Sequence, residues 1–323
     1  VAGGLELRRG RAQATTLGIL HGFVPNEGDA WSFTEDRLHR FLEDALATAT
    51  ARPDTPVPTP TLFEVVGAGP PELAAETMGG YLEAARLLGR RTAELHLALA
   101  SDVEDPVFAP ERVTPFYQRS LYQSLRAIAN GTFQILRSQP DLPGGEIVLE
   151  RQPQILERLR SVLDVRITGA RTRIHGDLHL GQLLYTGRDF VIIDFEGPPP
   201  KSIGERRIKR LPLVDAAGMI RSFHYAAHSA ARAVEVVEPD RVGAIAPWVR
   251  LWYVSAAGAY LREYLDVVDG APFAAGSPEE VEILMHAFLL EKALYEVAYE
   301  ANNRPEWLPI PVAGIADLLE APA

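Results

Sequence analysis

Between residues 81 and 100 the apolar side chains Leu82, Ala85, Leu88, Leu95 and Leu99 recur at three- and four-residue steps, the period of a helix with one buried side. The same period carries Leu38, Phe41, Leu42, Ala45 and Leu46 to about Ala49, with Ser32 and Glu35 spaced as a capping box ahead of them. Thr114-Pro115 opens another helix through Tyr117, Leu121, Leu125 and Ile128, and a further one is expected over about 154–163. The proline-rich stretch 52–60 stops the first helix and reads as a surface loop. Ahead of these helices, Leu5-Glu6-Leu7-Arg8 and Thr15-Thr16-Leu17-Gly18-Ile19-Leu20 read as strands joined by a turn at Arg9-Gly10-Arg11.

The period changes in the middle of the chain. Thr172-Arg173-Ile174 predicts a short strand. Leu183-Leu184-Tyr185 and Phe190-Val191-Ile192-Ile193 predict two more, joined at Thr186-Gly187-Arg188-Asp189, where glycine supplies positive φ. Pro198-Pro199-Pro200 forbids regular structure. Long apolar-periodic segments then return at about 213–236, 242–268 and 278–302. The expected class is α+β, mostly helical, with a small hairpin set into the helices.

The chain has 323 residues, 47% of them hydrophobic, enough for a sizeable core. Its formal charge of −11 argues against nucleic acid and against an anionic membrane surface as partners, and for a small-molecule substrate. Zero cysteines exclude disulfides, thiolate metal sites and a cysteine nucleophile, and fit a reducing cytoplasm. No apolar run is long enough to span a bilayer and the first residues do not resemble a secretion signal, so neither insertion nor export is expected. The chain opens on a strand without methionine, which reads as a fragment.

The chemistry concentrates between residues 173 and 197. His175-Gly176-Asp177-Leu178-His179-Leu180-Gly181-Gln182 is followed, one hairpin later, by Ile193-Asp194-Phe195-Glu196-Gly197. A carboxylate at Asp177 can orient an attacking hydroxyl. Gln182 and Asp194 then offer a neutral and a charged oxygen to Mg²⁺, the inventory of phosphoryl transfer from ATP. His175 is expected to brace the loop. A zinc reading of His175 and His179 fails on sequence, because Gly176 stands where a zincin needs glutamate and no third ligand is evident.

Lys292, Tyr295, Glu296, Tyr299 and Glu300 fall on one helical face of about 140°, closed by Arg304-Pro305-Glu306-Trp307. That inventory suits a sugar, but composition alone favours an amphipathic helix with charge pairs on a solvated side. Arg206, Arg207, Lys209 and Arg210 read first as a solvated basic patch. Met219, Phe223, Tyr225, Trp31, Trp248 and Trp252 read as packing.

Five blocks resemble the maltokinases, members of the aminoglycoside-phosphotransferase-type branch of the kinase-like fold. They are Gly22-Phe23-Val24-Pro25-Asn26-Glu27-Gly28-Asp29-Ala30-Trp31, residues 175–182, Asp194-Phe195-Glu196-Gly197, Pro212-Leu213-Val214-Asp215-Ala216-Ala217-Gly218-Met219, and residues 292–307. The resemblance implies a helical C-lobe over 26–323, with catalytic loops at 173–200 and a sugar-binding helix at about 279–307. Residues 1–25 would be the last hairpin and hinge of an otherwise absent N-lobe. It implies ATP-dependent conversion of maltose to maltose 1-phosphate beside a trehalose synthase, with glucosamine kinases sharing the same blocks. Leu20, His21, Gly22 and Phe23 would meet the adenine. His179, Lys292, Tyr295, Glu296, Tyr299, Glu300 and Trp307 would line the sugar pocket. None of the three lysines precedes Asp177, so the phosphate-pairing lysine of that family is missing, and Val214 stands where arginine is more usual. A kinase-like remnant that docks a trehalose-synthase-type partner is the rival from another class.

Overall fold

A computed structural model describes residues 1–10, 14–52, 55–198, 201–237 and 241–320. In chain order, β1 (Gly3–Leu7) and β2 (Thr15–Leu20) are followed by α1 (Ala30–Ala51), α2 (Leu62–Ala68), α3 (Glu72–Met78) and α4 (Gly80–Leu99). Next come β3 (Glu111–Arg112), α5 (Pro115–Ser138), α6 (Gly145–Glu150), α7 (Gln152–Arg160) and β4 (Ala170–Arg171). The hairpin β5 (Leu183–Tyr185) and β6 (Phe190–Ile192) precedes α8 (Ile203–Arg206), α9 (Leu213–Val237), α10 (Val242–Val268), α11 (Pro278–Asn303) and α12 (Pro309–Glu320). Among the described residues the chain is mostly helical, and the strands form three separate two-stranded sheets.

The core is helix on helix. α10 is apolar nearly all round, burying Trp248, Leu251, Trp252, Tyr260 and Tyr264, as a helix surrounded by others must. It packs on α4, α9 and α2, while α11 packs on α5, α9 and α12. Gly89 lets α4 and α10 touch backbone to backbone, since a Cβ there would run into the carbonyl of Tyr260. No helix of the described residues is long and apolar enough to cross a membrane.

Several expectations change at element ends. The N-cap of α1 is Asp29, whose Oδ1 accepts from Ser32 N at 2.8 Å, so the helix starts before Ser32 and the Ser32–Glu35 box does not form. Residues 173–174 are not a strand. Pairing occurs at Ala170–Arg171 against Glu111–Arg112, and Thr172 makes an isolated bridge to Arg210. The helix expected at 154–163 is α7, which ends at Arg160 and tightens into a 3₁₀ turn over Ser161–Leu163. The short helices α2, α3 and α6 and the final α12 escape the periodic reading because the first three span two turns or fewer. Of the expected turns, Arg11 lies outside the described residues, as do Pro199 and Pro200.

The basic patch divides: Arg207 is exposed, as a solvated face requires, but Lys209 and Arg210 turn inward. Lys209 is buried, donating to the carbonyls of Pro106 (2.7 Å) and Ala109 (2.6 Å) and pairing with Glu111, while Arg210 pairs with Glu291 at 2.9 Å. These charges tie the loop before α5, and α11, to the segment that enters α9.

A candidate phosphotransferase site at the β5–β6 hairpin

Asp177, Gln182 and Asp194 lie on two loops joined by the β5–β6 hairpin, and three features hold these loops in register. Ile193 N donates to Gln182 O at 2.9 Å, which extends the ladder past β6. His175 Nδ1 accepts from Asp177 N at 3.3 Å, so the proton sits on Nε2, which donates to Ile193 O at 2.8 Å. One imidazole thus spans both loops. Asp194 has φ of 62°, the only positive φ outside glycine among the described residues, in a left-handed conformation that aspartate tolerates better than most side chains.

The polar atoms converge. Gln182 Nε2 donates to Asp194 Oδ2 at 2.9 Å, and among the described residues the amide oxygen and the second carboxylate oxygen have no side-chain partner. Asp177 Oδ1 lies 3.6 Å from Lys292 Nζ, so the loop meets α11 at this point. His179 accepts at Nδ1 from Gly181 N (3.1 Å). Burial lowers its pKa against the opposing pull of Asp177, which keeps the ring neutral. Leu180 N is satisfied by Ser222 of α9 at 3.0 Å.

Beneath the loop stands a residue whose part in the site the sequence reading did not assign. Asp215, in the first turn of α9, is 1% exposed and accepts from His175 N (2.7 Å), Gly176 N (2.8 Å) and His96 Nε2 (3.1 Å). His96 of α4 is itself bonded at Nδ1 to Tyr264 OH of α10 at 3.0 Å. Burial alone would push the Asp215 carboxyl up. The His96 hydrogen bond, the nearby histidines and the Gly176 amide outweigh it and hold the pKa below the usual carboxylate range. The sequence signal was a single carboxylate inside the apolar run Leu213-Val214-Asp215-Ala216-Ala217-Gly218, a position that demands buried donors.

The face of α11 divides. Tyr295 and Tyr299 are 42% and 45% exposed, and Lys292 and Arg304 lie over their respective rings. Glu296 and Glu300 turn inward: Glu296 takes Nε (3.0 Å) and a terminal nitrogen (2.6 Å) of buried Arg221, and Glu300 takes Tyr225 OH and both Nε and a terminal nitrogen of Arg304. The solvated-face alternative therefore fails for both glutamates, because a 140° face straddles the boundary between core and solvent. Tyr225 is more than packing, since its hydroxyl donates to Glu300 while its ring stacks on Trp307 at 6.5 Å. Leu20, His21, Gly22 and Phe23 are exposed, Phe23 at 86%. The chain then returns to the site through Glu27 and Gly28, which pair with Tyr185 of β5.

The phosphotransferase enzyme family matches residues 32–197, a span that includes both loops. A glucosamine kinase of Mycolicibacterium smegmatis is 32% identical over 152 residues, 45% of this chain and 34% of its own. One of Streptacidiphilus jiangxiensis is 24% identical over 310 residues, 95% of this chain and 59% of its own. The chain thus spans less than two thirds of either relative. A glucosamine kinase solved with glucosamine, ADP and inorganic phosphate shares the fold, with a TM-score of 0.69 and 20% identity over 92% of this chain and 62% of that one. The loops, the hairpin between them and the helices before them are the part that family shares, and the chain belongs to the phosphotransferase enzyme family.

Proposed function

We propose that the chain carries the acceptor and metal side of an ATP-dependent sugar kinase. One observation carries the reading: Asp177, Gln182 and Asp194 are held on two loops pinned to each other by His175. In this reading Asp177 orients the acceptor hydroxyl and takes its proton, and Lys292, 3.6 Å away, fixes the carboxylate and offsets charge on the incoming phosphoryl. Gln182 and Asp194 fit Mg²⁺, since both present hard oxygens and two protein ligands suffice where phosphates supply the rest. Bound there, the ion would neutralise phosphate charge. Residues 1–25 are read as the hairpin and hinge of a small lobe, with Leu20, His21, Gly22 and Phe23 toward the adenine, and 26–323 as the helical lobe.

Glucosamine is the first acceptor to test, because the two relatives named above are glucosamine kinases. Maltose is the second reading. The exposed Tyr295 and Tyr299, one helical turn apart, would extend an aromatic platform past a single ring, with His179 and Trp307 as further lining residues in this reading, while Glu296 and Glu300 act from behind by fixing Arg221, Tyr225 and Arg304.

A coupled ADP assay with each sugar tests both. Asp177→Asn is expected to lower turnover by about 10²- to 10⁴-fold with sugar binding retained, and near-normal turnover would sink the reading. Tyr295→Ala is expected to raise KM for the sugar with little change in KM for ATP. An unchanged sugar KM would remove α11 from the acceptor site.

A further inference from the structure

A cavity of about 540 Å³ opens between α2, the last turns of α10 and the start of α11. Phe63, Val66, Leu265, Val268 and Phe273 make its wall apolar. Gly67 also faces it, and a Cβ built there meets nothing within 4 Å. At Gly169 a Cβ would stand 2.8 Å from the carbonyl oxygen of Phe273. The space is therefore open beside α2 and close-packed opposite.

Three carboxylates line the cavity, and they differ. Glu280 is buried and fully engaged, accepting from Thr168 N, Thr168 Oγ1, Gly169 N and Gly276 N. Asp269 and Glu282 have no hydrogen-bond or ion-pair partner among the described residues.

The cavity meets the anchor of the Asp177 loop by two routes. Tyr264 lines it, and the Tyr264 hydroxyl bonds His96, which bonds the Asp215 that holds the amides of His175 and Gly176. Leu211, Pro212 and Leu213 also line it, and the chain reaches Asp215 two residues later.

We propose that this cavity is an effector site for a small amphiphile with an apolar body and a protonated amine, and that its occupancy steadies the loop bearing Asp177. The volume suits a ligand of drug size. Apolar burial supplies the affinity, and two carboxylates without cations select an amine over a neutral or anionic head. A body packed on Tyr264 and on residues 211–213 restricts the elements that fix Asp215, so the coupling runs through lost motion rather than a displacement. The inference stands apart from the reaction proposed above, and its test reads no activity.

Dansylcadaverine serves as the probe, because its ring brightens out of water and its amine is protonated at pH 7. The N-acetylated form keeps the ring and loses the charge. The expected result is a saturable rise in fluorescence, with the acetylated form binding about fivefold more weakly, as one exposed ion pair allows. The double variant Asp269→Asn, Glu282→Gln is expected to erase that preference. Gly67→Phe and Ala275→Trp, each checked for folding by circular dichroism, are expected to abolish the rise. Saturation is expected to slow hydrogen exchange at the amides of His175 and Gly176. The proposal is overturned if no saturable rise occurs, if it persists in the folded cavity-filling variants, if the two probes bind equally, or if those two amides exchange unchanged at saturation.

Discussion

A carboxylate with 1% of its surface exposed stays charged only where its surroundings supply donors, and Asp215 has three of them from two elements. Removing it leaves the amides of His175 and Gly176 and the proton on His96 without acceptors. Asp215→Ala is therefore expected to cost about 3–5 kcal/mol of stability. Asp215→Asn keeps one acceptor oxygen but turns an NH₂ group toward existing donors, so an intermediate loss is expected. Urea melts of the two variants check the order, and equal, small losses would show that water replaces the carboxylate. The spacing of Asp177, Gln182 and Asp194 was legible because all three sit on the two loops that flank one short hairpin. Asp215 was not, since its partners lie 39, 40 and 119 residues away.

At the scale of elements, α9 is seated on the loop through Gly218. A Cβ there would stand 2.6 Å from the carbonyl oxygen of Leu178, between Asp177 and His179. Gly218→Ala must push the helix and the loop apart and is expected to destabilise by about 1–3 kcal/mol. Gly131 inside α5 is the control, because its Cβ would meet nothing within 4 Å. Gly131→Ala is expected to be neutral or to stabilise by up to ~1 kcal/mol. Thermal melts of the pair separate close approach from helix propensity, and two equal shifts would contradict the packing argument. The long helices α4, α5, α9, α10 and α11 were legible from periodicity, which a helix needs if it is to bury a side. α2, α3 and α6 were not, because six or seven residues hold too few repeats of the period.

At the scale of the whole molecule, histidines link stability to pH. His224, His228 and His286 have pKa values pressed down, the latter two to about 4. Burial is the main cause, with the charge of Arg221 or Arg158 adding to it. Neither ring nitrogen of His224 has a hydrogen-bond partner among the described residues, and its ring lies 4.2 Å from that of His228, tilted by 30°. Unfolded histidines take up protons below about pH 6.5, where these native rings stay neutral. Their contribution is therefore complete above about 6.5 and is lost as pH falls toward 4, at up to about 1.4 kcal/mol per pH unit for each fully buried ring. Urea midpoints at pH 7, 6 and 5 are expected to fall in that order, and a flat profile would mean that the rings are hydrated in the native state.

The chain by itself determined the helices long enough to repeat their period, the β5–β6 hairpin, and the loops that bring Asp177, Gln182 and Asp194 within one short stretch, because each depends on steric and spacing rules among near neighbours. Only the tertiary structure decided which charges are buried. Lys209, Arg221, Glu296 and Glu300 have the composition of a surface, and Asp215 that of an error in a core. Each is stable where it lies because a partner from a distant element arrives at hydrogen-bond distance, a meeting that local sequence does not encode.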